Sequence, residues 1–249
     1  SNSISSLNSY EQIQQFYDLH ADPNNPDSLE EFNNFDVNAN ISRTTLNRGT
    51  FPSAGSSQQL SLKMTTPNSS DVQYFKVNFD SKFYFPLTRN QRWTVLTRLQ
   101  LGYGNGYGKI YGNDQLLPFW ENFRAGGSDT LRGFENNTVG PRAIYRGPTS
   151  IGGTPDPTGG TACCLGPDHD TINVSSRSVG GNAIAVGGIE LIVPTPFLDE
   201  SYANSVRTSF FVDIGNVWDT EFNIADYQEL APVEFDKLAD FSREDRYRA

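Results

Sequence analysis

The sequence predicts an all-β chain, an antiparallel transmembrane β-barrel fragment of about six full strands. Three observations predict it. Six segments alternate apolar with polar residues at a period of two, the pattern of strands with one face in an apolar medium. No apolar run approaches the roughly 18 residues that a spanning helix needs. Connections are mostly short at one end of the sheet and long at the other, the asymmetry of outer-membrane barrels. The mean hydropathy of -0.51 does not oppose this, because a barrel wall turns every second residue to a polar lumen and its average looks soluble.

Residues 1–34 read as an extracellular loop, with room for a helical turn or two over 10–20 before Pro23, Pro26 and several Asn break it. Four strands are expected over 35–104. In the first, Phe35, Val37, Ala39 and Ile41 alternate with Asp36, Asn38, Asn40 and Ser42; in the second, Leu60, Leu62 and Met64 alternate with Ser61, Lys63 and Thr65. The third sets Phe75, Val77, Phe79, Phe83 and Phe85 against Lys76, Asn78 and Asp80, and the fourth sets Trp93, Val95, Leu99, Leu101 and Tyr103 against Thr94, Arg98 and Gln100. Their close spacing makes a meander. Residues 105–181 are rich in Gly, Pro, Asn, Ser and Asp with no lasting period, and so long an irregular segment is usually functional. Two more strands fall within 182–218: Ile189, Leu191 and Val193 against Glu190, then Val206, Thr208, Phe210, Val212 and Ile214 against Arg207, Ser209 and Asp213. Residues 219–249 form a second acidic loop, with 246–249 expected to begin the next strand.

Bacterial barrels use an even number of strands, about 8 or more, so six strands without a terminal aromatic strand read as an internal piece of a larger barrel. No leader of basic, apolar and small residues opens the sequence, so any signal peptide is expected outside it. Lys+Arg 19 against Asp+Glu 29 gives a net charge of -10, which opposes binding to phosphate backbones and so to nucleic acid. His20 and His169 lie in no ligand-spaced set, so no metal is assigned. Asp168 and Asp170 flank His169 without a positioned nucleophile and read as solvated loop charges; no catalytic residue and no cofactor are expected. Gly102, Gly104, Gly106 and Gly108 recur at every second position outside a strand-to-helix setting and read as flexible loop rather than a dinucleotide site.

Glu190 and Asp213 are the exceptional charges. Each lies within an apolar strand, on the polar parity, and a carboxylate facing lipid near the midplane would cost about 2 kcal/mol or more. Both therefore point to the lumen, where one arginine fork can neutralise two carboxylates on adjacent strands. Arg132 is the expected cation, with Gly133 beside it opening a backbone path closed to other residues and Phe134 offering an apolar anchor.

Residues 126–145, GGSDTLRGFENNTVGPRAIY, contain Leu131-Arg132-Gly133-Phe134 and resemble the loop of the BamA family of outer-membrane assembly proteins, whose arginine-glycine-phenylalanine tip tucks into the barrel lumen. Thr45-Leu46-Asn47-Arg48-Gly49, Gly181-Asn182-Ala183, Pro194-Thr195-Pro196-Phe197, residues 202–211 and Val217-Trp218-Asp219 are similar to that family too, so the resemblance covers nearly the whole chain. It implies a barrel of roughly sixteen strands, of which this chain holds roughly strands eight to thirteen, with 105–181 as a long lumen-inserted loop. It implies that Arg132 is the loop-tip arginine and that Glu190 and Asp213 are its partners; Leu131 stands where the family usually has Val. Relatives often bridge two spaced cysteines in this loop, whereas Cys163 and Cys164 are adjacent. Neighbouring Cα atoms sit about 3.8 Å apart, below the usual disulfide window of about 4.4 Å and up, so a strained bridge, two free thiols and an intermolecular link all stay open.

The implied function is the folding and insertion of β-barrel proteins into the outer membrane of a Gram-negative bacterium, without enzymatic chemistry. Implied partners are unfolded outer-membrane protein clients, the lipid bilayer, and accessory assembly lipoproteins reached mainly through periplasmic POTRA domains that this sequence does not contain. The strands that form the family's lateral seam are absent as well. Two alternatives stand beside this reading. One is a polypeptide-secreting transporter of the same superfamily, distinguished by its number of POTRA domains. The other is a soluble secreted β-sandwich that binds through its long loops, which the lipid-suited row of Phe75, Phe79, Phe83 and Phe85 opposes.

Overall fold

A computed structural model describes residues 10–20, 32–67, 69–146, 172–195 and 206–222. Cys163, Cys164, Asp168, His169, Asp170 and the segment 246–249 lie outside the described residues. One helix, α1 (Glu11–His20), precedes the meander β1 (Asp36–Thr44), β2 (Gly55–Thr65), β3 (Tyr74–Pro86) and β4 (Thr94–Gly106). The connection that follows contains the short pairs β5 (Lys109–Ile110) with β6 (Asn113–Asp114) and β7 (Arg142–Arg146) with β8 (Ile172–Ser178). The chain then returns through β9 (Ala183–Val193) and β10 (Thr208–Trp218).

The six long strands form one sheet in the order β1-β2-β3-β4-β9-β10, antiparallel at every step. Their lengths run from 9 to 13 residues, the reach that a tilted strand needs to cross a bilayer. Alternation splits them cleanly. Ile41, Phe210 and Val212 on the outer face are 71%, 67% and 73% exposed, and Leu60, Leu62, Phe85, Leu99, Leu101 and Ile189 share that face. Lys63, Lys76, Arg98, Gln100, Glu190 and Asp213 share the opposite, inner face. Among the described residues the other sheets are the two-stranded pairs β5–β6 and β7–β8, too small to be the second layer of a β-sandwich, and the apolar outer row is left exposed.

The core lies between the inner face and the chain inserted against it. Phe123, Ala125, Leu131 and Val139 of the long connection bury Ile184 and Val186 of β9 and Val217 of β10, with Phe134 packed at the margin. The short pairs β5–β6 and β7–β8 lie within the long connection 105–181, and two other expectations are corrected. Gly102, Gly104 and Gly106 are strand rather than flexible loop. They lie on the inner face of β4, where a Cβ on Gly102 would come within 2.5 Å of the Phe123 ring and one on Gly104 within 3.1 Å of Leu117, so bare backbone lets the loop lie flat on the wall.

Helix α1 is ten residues long, not a turn or two. Ile13, Phe16 and His20, at helical spacing, are all buried. Phe16 meets Trp120 at 5.3 Å and Phe32 at 5.8 Å between ring centroids. Gln12 donates to the Arg142 carbonyl at 2.8 Å and accepts from the Ile144 amide at 3.0 Å, tying the helix to β7. Tertiary packing therefore carries the helix through to His20, ahead of Pro23.

Beyond β10 the Glu221 carboxylate accepts hydrogen bonds from the backbone amides of Leu117 at 3.0 Å and Gly106 at 3.4 Å. Burial pushes this carboxyl up to about 7, against the pull of those amides, and neighbouring Asp219 adds to the rise. Burial also raises Asp219, against the amides of Glu221 and Phe222. A raised folded-state value means that the folded protein holds the proton more tightly. The contribution is thus fully present below the ordinary value of 4.5 and is lost as pH rises through about 7. The thermal unfolding midpoint in detergent is expected to fall between pH 5 and pH 8, and Glu221→Gln to flatten that slope; an equal slope in the variant excludes Glu221 as its source.

Candidate functional site

The long connection descends the inner face, turns, and climbs back. Its two arms are joined by backbone bridges between Phe123 and Gly181 and between Ala125 and Val139. The turn is closed by the Gly127 amide donating to the Phe134 carbonyl at 3.1 Å, and the Thr130 hydroxyl both accepts from the Gly126 amide and donates to its carbonyl. Leu131 is 1% exposed and anchors the tip in the core. Gly133 takes φ +95° with nothing within 4 Å of a would-be Cβ, so conformation and not space calls for glycine there. Leu131 and Phe134, both packed on the wall, hold the intervening Arg132 side chain against it.

It points at two carboxylates. Arg132 Nε and Nη2 donate to Asp213 Oδ2 and Oδ1 at 2.8 and 2.9 Å, Nη1 donates to Glu190 Oε2 at 2.6 Å, and its backbone amide adds a bond to Asp213 Oδ2 at 3.2 Å. The guanidinium also lies 3.6 Å from the centroid of the Phe211 ring. Hydrogen bonding to Asp213, set against desolvation and reinforced by Glu190, holds the Arg132 pKa above its ordinary value, so the pin stays cationic at every physiological pH. Asp213 has a side-chain exposure of only 2%. A planar fork shared between two strands is geometry that lysine cannot supply.

Arg98 of β4, on the face already read as polar but with no partner assigned, completes the set. Its Nη2 donates to Asp213 Oδ1 at 2.9 Å, and its guanidinium reaches the carbonyls of Asp129 and Thr130 at 3.3 and 3.4 Å, just before the tip. Arg98, Gly188 and Asp213 stand in one cross-strand row. A Cβ on Gly188 would collide with Asp213 Oδ1, so this glycine is the gap through which β4 and β10 make their ion pair across β9. Phe211, opposite Glu190 in register, likewise lies on the inner face. The two acids, two arginines and an aromatic ring are thus held together around the loop tip, although Arg98 Nε is buried without a hydrogen-bond partner; the arrangement fastens a loop.

The sequence pattern of the Omp85 superfamily domain matches residues 1–236. The chain belongs to the Omp85 superfamily. Within it, the chain is similar to the outer membrane protein assembly factor BamA of Neisseria meningitidis serogroup B, 28% identical over 169 residues, which are 68% of this chain and 17% of that protein. It also superposes on the crystal structure of BamA from Haemophilus ducreyi lacking POTRA domains 1–3, with a TM-score of 0.68 and 30% identity, over 94% of this chain and 38% of that one. This Omp85 chain is therefore a BamA-like barrel segment, its inner face is lumenal, and it spans well under half the length of these relatives.

Proposed function

We propose that this chain supplies wall strands and the lumenal loop of an outer-membrane protein of a Gram-negative bacterium that folds and inserts other β-barrel proteins. The observation that carries the reading is the Arg132 pin onto Glu190 and Asp213 in a sheet similar to BamA. In this reading the work is physical rather than catalytic. A braced wall keeps the lumen in shape while an edge strand elsewhere in the barrel pairs with the client's strand by β-augmentation. Partners are unfolded outer-membrane proteins, the bilayer against the apolar outer face, and accessory lipoproteins met through periplasmic domains. A polypeptide-secreting transporter of the same superfamily is the second reading; the similarity to a protein named outer membrane protein assembly factor BamA, and to a solved BamA structure, favours the first.

In a Gram-negative host depleted of its own assembly factor, the complete protein carrying this chain is expected to restore heat-modifiable porins to the outer membrane. Failure to restore them, with a polypeptide exported instead, would assign the chain to the secreting branch.

A further inference from the structure

Lys63 on β2 and Lys76 on β3 stand directly opposite each other on the lumenal face. Like charges in that position destabilise a strand pair unless an anion sits between them. The inserted loop provides one. Glu121, in the 3-10 turn Phe119–Glu121, accepts from Lys63 Nζ at 2.7 Å on one carboxylate oxygen and from Lys76 Nζ at 3.3 Å on the other. Lys76 also donates to the Glu121 backbone carbonyl at 2.6 Å and lies 4.5 Å from the centroid of the Phe123 ring. The Tyr74 hydroxyl donates to Glu121 at 3.3 Å, and Lys63 continues to Asp36 of β1 at 3.1 Å. Burial opposes ionisation of Glu121, but its bonds to Lys63 and the charge of Lys76 outweigh that and hold the carboxyl below the ordinary carboxylate range.

This is the loop tip with its charges exchanged. At the tip the wall contributes two acids from β9 and β10, with Arg98 of β4 beside Asp213, and the loop contributes the cation that joins both acids. At the turn the wall contributes two cations from β2 and β3 and the loop contributes the acid. We infer that Glu121 is a second positioning residue, so that the inserted loop is a strut fastened on both sides of β4 by ion clusters of opposite polarity. Opposite polarity also fixes the direction of insertion: the arginine tip is repelled by the lysine pair and the Glu121 turn by the acid pair. Neither single cluster could do this, because the repulsion that rejects the reversed insertion needs both signs of charge on the wall.

The inference rests on the reading of the inner face as a lumen, but its test uses the stability of the purified complete protein and needs no client. Its failure is therefore separable from failure of the assembly role. The measurement is the temperature at which the folded band converts to the unfolded band on gels. Glu121→Gln is expected to lower it by roughly 5 °C. Lys63→Gln is expected to lower it too, and the double variant by less than the sum of the two. Glu121→Arg alone should be worse than Glu121→Gln, whereas Glu121→Arg with Lys63→Glu, Lys76→Glu and Asp36→Asn, which copies the tip without setting the new acid at position 63 against Asp36, should regain more than half of the loss. An unchanged Glu121→Gln protein, additive losses in the double variant, or no regain in the charge-exchanged variant overturns the strut. Should the arginine variants not assemble, the Glu121 and Lys63 double-mutant cycle decides alone.

Discussion

Arg132→Ala should unfasten the loop tip and cost the barrel about 3–5 kcal/mol, the usual penalty for leaving buried charges without their partner. The loss is unequal between the two acids. Asp213 keeps Arg98 at 2.9 Å, whereas Glu190 loses the guanidinium that donates to it at 2.6 Å. Most of the damage thus falls on Glu190, and a second change there discriminates sharply: Glu190→Gln in the Arg132→Ala background should recover part of the stability, because it removes the stranded charge. Arg132→Lys should recover little, since one ammonium cannot bind both oxygens of Asp213 and also reach Glu190 in the same plane. The measurement is again the thermal midpoint of the folded band, together with protease sensitivity of the loop. An unchanged midpoint in Arg132→Ala, or a further fall on adding Glu190→Gln, would dismiss the view that charge pairing holds the tip.

The strands and the two acids were legible because alternation is a property of backbone geometry and survives without knowledge of register. Even parity on β9 and odd parity on β10 suffice to send Glu190 and Asp213 to one face. What needed register stayed hidden. Arg98 was visible as a polar-face residue, but nothing local says that it stands opposite Gly188 and so beside Asp213. Phe211 shares parity with Asp213, and an aromatic ring on a polar face was the available signal that something cationic or apolar covers it. The same holds for Ile184, Val186 and Val217, apolar residues on the lumenal side that only the inserted loop explains. Helix α1 exceeds a turn or two because Ile13, Phe16 and His20, at helical spacing, pack into the core, while Pro23 and Pro26 lie beyond its end. The alternate glycines of β4 were the clearest missed clue. Repetition at a period of two inside a strand means that one face has no side chains, and a bare face in a wall invites close approach by another backbone.

That bare face yields the second large effect, a graded one. Gly102, Gly104 and Gly106 do not lie in the left-handed region, so a side chain there costs space and not strain, the reverse of Gly133. A Cβ at Gly106 would run into the Gln115 carbonyl and stand 2.6 Å from the Leu116 amide nitrogen, both backbone atoms that can yield only if the loop lifts. At Gly102 the obstacles are the Phe123 ring at 2.5 Å and Ile184 Cγ2 at 2.7 Å, side-chain atoms that can turn aside at some cost. At Gly104 the nearest atoms stand at 3.1 Å and need shift by only a few tenths of an ångström. Alanine substitutions should therefore rank Gly106 worst, then Gly102, then Gly104. Gly106→Ala should reach or exceed the upper end of the roughly 1–3 kcal/mol that overpacking costs. It should also speed hydrogen exchange at Leu117, whose amide and that of Gly106 share the Glu221 carboxylate. Gly133→Asn should be nearly silent because asparagine tolerates a positive φ, whereas Gly106→Asn should be as harmful as alanine or worse. Three equal losses along β4, or a tolerated asparagine at Gly106, would mean that the loop does not rest on this strand.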